Sequence, residues 1–102
     1  DMGKGQLFLV MVDIVNLVYR RKTMFKSTAG KKNVILEFVS NKESYMSAVD
    51  ELKIEKVVDN LISNAIKYSH TNGKVELTLN CNEYYWSLEV RDYGLGISDN
   101  AQ

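Results

Sequence analysis

Asn60-Leu61-Ile62-Ser63-Asn64-Ala65-Ile66-Lys67-Tyr68-Ser69 is followed, two strand-like segments later, by Asp92-Tyr93-Gly94-Leu95-Gly96-Ile97. The first stretch sits in a helical pattern. Leu52, Ile54, Val58, Leu61, Ile62, Ala65 and Ile66 recur at helical spacing, which predicts a helix over about residues 51–69. Asp50 is placed to cap it, and Glu51 to complement its dipole. At about 100° per residue, Asn60, Asn64, Lys67 and Tyr68 share roughly a third of the helix circumference. Leu61, Ala65, Val58 and Ile62 are expected to pack on a sheet, which would leave the polar stripe at the edge of the core. Asparagine is a mediocre helix former, so two of them four apart need a reason. One reason is ligation: an amide oxygen can bind a hard cation without adding charge, and a lysine one turn on can meet the phosphates that cation carries. The other is that they pair with the hairpin or with nearby backbone.

The second stretch follows a predicted strand. Gly94 and Gly96 can adopt backbone angles closed to other residues and leave room for a ligand. Asp92 can accept a hydrogen bond from an exocyclic amine such as that of adenine. The motif lacks the third glycine of a dinucleotide fingerprint and the Gly-Lys-Ser/Thr of a P-loop. Taken alone, it also reads as a plain β-turn.

Working outward, Val75, Leu77 and Leu79 alternate with polar residues, as do Trp86, Leu88 and Val90, with a hairpin at Asn80–Glu83 between them. Upstream, Leu7–Val12 reads as a short buried strand and Asp13 as a helix N-cap. A helix follows over about residues 14–30, ending near Gly30. Asn33–Ser40 and Tyr45–Val49 are strand-like. Residues 1–6 are polar and read as a linker. The order strand, helix, two strands, helix, two strands predicts an α+β fold: a two-layer sandwich with helices on one face of a mixed sheet.

Composition narrows the function classes. The 102 residues suffice for one small domain. Thirteen Lys plus Arg balance thirteen Asp plus Glu, so no basic field attracts nucleic acid. No apolar run approaches the ~20 residues of a membrane-spanning helix. Cys81 is the only cysteine, which excludes an internal disulfide and suits the role of a small apolar filler. With His70 alone it cannot form a zinc site. His70 reads as a surface turn residue. Trp86, Tyr84 and Tyr85 read as a strand and its turn, and Arg20–Lys22 as a solvated helix face or a docking surface.

Together, Asn60-Leu61-x-x-Asn64-Ala65-x-Lys67-Tyr68-Ser69 and Asp92-x-Gly94-x-Gly96-Ile97 resemble the asparagine box and first glycine box of sensor histidine kinases, members of the GHKL superfamily. The resemblance extends over about residues 7–98 and includes Val12-Asp13 and Val49-Asp50-Glu51. It implies an ATP-binding catalytic domain over residues 7–102, incomplete at its C-terminus, with ATP and Mg²⁺ as cofactors. By the same resemblance, Asn64 would hold the Mg²⁺, with Asn60 and Lys67 at the phosphates and Tyr68 against base or ribose. Asp92 would take the adenine amine, and Gly94 and Gly96 would shape the pocket wall. In hydrolysing members a glutamate stands where this chain has Asn60, and an amide cannot be a general base. The implied reaction is therefore transfer of the γ-phosphoryl group to a histidine on a separate helical dimerisation domain, expected to precede residue 1.

The implied partners are that helical domain, a response regulator receiver domain and a second copy in a homodimer, with no nucleic acid. The implied setting is two-component signal transduction: a phosphoprotein whose cytoplasmic domain belongs to a parent in the inner or plasma membrane. The lid, second glycine box and final strand of the family are expected after residue 102. On its own the chain is expected to be inactive, and its uncovered sheet edge favours self-association. The alternatives are a non-catalytic interaction module of the same fold and a hydrolysing ATPase.

Overall fold

A computed structural model describes residues 7–93. The expected linker at residues 1–6 and the glycine motif from Gly94 onward lie outside the described residues. The elements are β1 (Leu9–Asp13), α1 (Ile14–Met24), α2 (Lys26–Lys31), β2 (Ile35–Ser40), β3 (Met46–Asp50), α3 (Glu51–Tyr68), β4 (Lys74–Cys81) and β5 (Trp86–Tyr93).

The main sheet has the order β2-β4-β5. β2 runs parallel to β4, and β5 antiparallel to it, so the sheet is mixed, as expected. Its alternation gives it two unlike faces. Val75, Leu77, Leu79 and Cys81 of β4 are buried on the face covered by Ile14, Leu17 and Val18 of α1 and by Val58, Ile62 and Ile66 of α3. Trp86, Leu88 and Val90 lie opposite Cys81, Leu79 and Leu77 in the ladder and pack against the same core. Glu76, Thr78, Glu89 and Arg91 occupy the intervening positions, which gives the outer face its polar character. The helices therefore cover one face, and the two-layer reading holds.

β1 and β3 form a separate antiparallel ribbon. Each strand ends on the aspartate that caps the next helix. Asp13 accepts from the amides of Val15 (3.1 Å) and Asn16 (3.4 Å), and Asp50 accepts from that of Lys53 (3.3 Å). Both carboxylates also reach across the ribbon. Asp13 accepts from the Tyr45 amide and the Ser44 hydroxyl, and Asp50 from the Phe8 amide. A cap and a strand contact in one side chain fix how both helices leave the ribbon.

Two expectations change. The run from Leu7 to Val12 is not a buried strand: Leu7, Phe8, Leu9, Val10 and Met11 are exposed and only Val12 is buried. Among the described residues no second layer covers this two-stranded ribbon, so apolarity alone did not bury it. The helix expected over residues 14–30 is two helices. Phe25 leaves helical geometry (φ −97°, ψ 6°) and packs against the core, and α2 starts at Lys26. The helical stretch does end beside Gly30, at Lys31, and beyond it Asn33 takes the left-handed conformation (φ 58°), which asparagine tolerates better than most residues.

Candidate functional site

α3 is held on the sheet by one row. Val58, Ile62 and Ile66, four apart, are almost fully buried, which fixes the rotation of the helix about its axis. Its flank is fixed by α1: the Arg21 guanidinium donates to both carboxylate oxygens of Asp59 at 2.8 and 2.7 Å. That bond, more than the nearby carboxylate charges, holds the Arg21 pKa above its usual value despite some burial.

With the rotation fixed, Asn60, Asn64, Lys67 and Tyr68 all come to the exposed side of α3. This corrects the expectation of a stripe at the core edge. Leu61, expected on the sheet, is 39% exposed, and the centre of the stripe lies across the helix from the buried row. Val57 and Leu61 are exposed beside it, so the face combines amides, a cation, an aromatic ring and aliphatic surface. Tyr68 is 71% exposed, and the Lys67 ammonium rests 5.4 Å from its ring centroid, a cation–π distance.

Asp92 is placed by the ladder. It lies opposite Val75, and directly opposed residues of an antiparallel pair project to the same face. Asp92 therefore continues the inward row Trp86, Leu88, Val90, but it is exposed where those are half-buried. It lies on the side of the sheet that carries α3, beside the turn after that helix. That turn is tight: a Cβ on Gly73 would meet the His70 carbonyl oxygen at 2.8 Å and that of Tyr93 at 3.1 Å. Gly73 thus lets the end of β5 approach the end of α3.

Asn60, Asn64, Lys67 and Tyr68 thus lie on the outward side of α3, and Asp92 lies at the end of β5 on the sheet face that α3 covers. Gly94 and Gly96 lie outside the described residues. A cavity of about 430 Å³ elsewhere, lined by Tyr19, Lys22, Ala29 and Val34 among others, lies between α1, α2 and β2 and contains none of these residues. His70 is an exposed turn residue and Cys81 a buried strand residue, as expected. Burial pushes the Cys81 thiol pKa up; the Lys42 charge pulls it down and the Asp13 charge adds to the rise, both less than burial does. Sequence reasoning passed over Lys32, whose ammonium contacts the end of α3. It lies more than thirty positions away in sequence, so no helical or strand period signals it.

The model of the family described as "Histidine kinase-, DNA gyrase B-, and HSP90-like ATPase" matches residues 49–102. Hybrid signal transduction histidine kinase D of Dictyostelium discoideum is 31% identical over 105 residues, covering 98% of this chain and 7% of that protein. Sensor protein EvgS of Escherichia coli K12 is 31% identical over 108 residues, covering 100% of this chain and 9% of that protein. The nucleotide-free catalytic domain of histidine kinase ThkA superposes with a TM-score of 0.82 at 22% identity, covering 87% of this chain and 61% of that one. The same kinase is also known in complex with the response regulator TrrA, with a TM-score of 0.79 and 23% identity, covering 85% of this chain and 26% of that one. This chain belongs to the histidine kinase-, gyrase B- and HSP90-like ATPase family, and its fold is that of a histidine kinase catalytic domain. It spans less than a tenth of the two sensor-kinase relatives' length.

Proposed function

We propose that this chain is the ATP-binding part of a two-component protein histidine kinase, one that moves the γ-phosphoryl group of ATP to a histidine on a separate helical domain. The observation that carries this reading is Asp92 ending the inward row of β5 on the same side of the sheet as the Asn60–Asn64–Lys67–Tyr68 face of α3. Adenine then lies at Asp92, which accepts its exocyclic amine, and the triphosphate runs along α3. Lys67 meets phosphate as a point charge, Tyr68 lies against base or ribose, and Asn60 supports the phosphates. Gly94 and Gly96 shape the adenine end.

The donor set suits Mg²⁺. Asn64 offers one uncharged amide oxygen, and the described residues contain no group of three or more His, Cys, Asp or Glu able to hold a metal. Mg²⁺ keeps several waters and takes oxygens from phosphates rather than from an all-protein cage. When bound it would neutralise charge on the transferring phosphoryl group. Asn60 cannot abstract a proton from water, so the face positions ATP for an external acceptor instead of activating hydrolysis. That acceptor, a helical dimerisation domain in a homodimer, is the first partner. A response regulator is the second, on the pattern of the ThkA–TrrA complex. Use of ATP places the domain on the cytoplasmic side of the cell membrane. No helix of the described residues is long and apolar enough to cross one.

The test is to incubate the intact protein with γ-labelled ATP and Mg²⁺. The expected product is acid-labile, alkali-stable protein phosphate, lost in Asn64→Ala. Release of free phosphate alone would make the protein a hydrolase. Absence of nucleotide binding would make the domain an interaction module.

A further inference from the structure

The last turn of a helix leaves backbone carbonyls without partners, and they form the negative end of its dipole. In α3 this end carries Lys67 and Tyr68. Its C-cap, Ser69, is extended (φ −80°, ψ 160°), so there is no left-handed glycine cap, and of the helix carbonyls Ser69 reaches only that of Ile66, from its amide (3.2 Å) and hydroxyl (3.3 Å). A distant residue adds to this hold. The Lys32 ammonium donates to the carbonyl oxygens of Ile66 (2.9 Å), Lys67 (3.1 Å) and Ser69 (2.6 Å). All three donors of an ammonium group are thereby used on one end of one helix.

Lys32 is itself held from both sides. It caps α2, its amide donating to Ala29. Its carbonyl accepts from the Asn72 amide at 3.0 Å. Next to it, Asn33 is left-handed (φ 58°), as is Asn72 (φ 70°), and the Asn33 side-chain amide donates to the Asn72 side chain. The Ile35 amide donates to the Gly73 carbonyl at 3.1 Å, and that of Gly73 to the His70 carbonyl at 2.9 Å. The junction between α2 and β2 is thus knotted to the junction between α3 and β4. The same knot adjoins the end of β5, because Lys74 lies opposite Tyr93 in the ladder.

We infer that Lys32 is a positioning residue for the nucleotide site: its ammonium fixes the last turn of α3, and through it sets Lys67 and Tyr68 against the β5 end that carries Asp92. The inference rests on the nucleotide reading above. Lys32 does not touch nucleotide. It acts through the backbone of residues 66–69, and its removal frees a turn whose side chains must be ordered before ATP binds. If the competent arrangement falls to about a tenth of the population, apparent ATP affinity weakens about tenfold.

The test uses three variants of the intact protein: Lys32→Met, Arg21→Met and Asn64→Ala. Lys32→Met keeps the apolar stem and deletes the three bonds. Arg21→Met loosens α3 elsewhere, and serves as the control for lost stability. Autophosphorylation kinetics, ATP titration and thermal melting are measured on each. The expected result is a KM and Kd for ATP raised about tenfold in Lys32→Met, with kcat per folded molecule nearly unchanged. Arg21→Met should melt earlier with KM unchanged, because loss of folded protein lowers only the apparent kcat. If Lys32→Met behaves like Arg21→Met while Asn64→Ala loses ATP, the positioning role is wrong and the site reading stands. If Asn64→Ala keeps wild-type affinity, both fall.

Discussion

The bond between Arg21 and Asp59 should hold α1 against α3 with a measurable coupling energy. It is bidentate, at 2.8 and 2.7 Å, and its side chains are 21% and 29% exposed. A charge-assisted hydrogen bond contributes about 1.5–3 kcal/mol, while fully exposed ion pairs contribute about 0–1 kcal/mol. Partial screening places this pair between the two, with a coupling of about 1–1.5 kcal/mol. Arg20 supplies the contrast. It lies 3.5 Å from Glu51 with side chains 45% and 41% exposed, so its coupling should be about 0.3 kcal/mol. The assay is a double-mutant cycle by urea unfolding, with Arg21→Met, Asp59→Asn and the double variant, beside the cycle for Arg20 and Glu51. Added salt should erase the second coupling and leave most of the first. Equal couplings in the two cycles would refute the argument that geometry and burial distinguish them.

Other outcomes follow from single residues. Burial pushes the Asp13 carboxyl up, but donors from Tyr45, Ser44, Asn16 and Val15 outweigh it and hold the pKa below the usual value. Its stabilisation is therefore complete above the unfolded pKa near 4 and is lost as pH falls through the lower folded value. Asp13→Ala should cost about 1–2 kcal/mol at neutral pH and flatten the acid limb of a stability–pH curve; an unchanged limb would count against this network. Cys81, buried with its thiol pKa raised, should resist a thiol reagent in the native state and react only after denaturant is added. Gly73→Ala should destabilise by about 1–3 kcal/mol, because the two atoms its Cβ would crowd, at 2.8 and 3.1 Å, are backbone oxygens. A neutral melting temperature would mean that the turn yields freely.

Much of the fold was legible because local rules and tertiary demand agreed. Asp13 and Asp50 cap as their positions suggested, and the alternation in β4 and β5 gave the two faces of the sheet. The period of α3 named Val58, Ile62 and Ile66, but it could not separate them from Leu61 and Leu52, which are exposed. Helical spacing says which residues share a stripe; the neighbouring elements decide which stripe is covered. The run Leu7–Val12 failed for the same reason, since among the described residues no second layer covers it. The break at Phe25 depends on a side chain turning into the core, which no period records. At the site, Asn60, Asn64, Lys67, Tyr68 and Asp92 were all visible as motifs. Lys32 was not, because its role comes from a contact between distant junctions and a lysine carries no signature of the carbonyls it serves.

Whether Asp92 reads the amine of adenine is decided by comparing ATP with inosine triphosphate, which lacks that amine. Titrations in magnesium buffer would be run on the intact protein and on its Asp92→Asn variant. Wild type should prefer ATP by at least about a hundredfold, and Asp92→Asn should lose most of this preference by weakening ATP alone. Equal affinity of the wild type for both nucleotides, or a preference that survives in Asp92→Asn, would contradict the placement of adenine at Asp92 and with it the site described here.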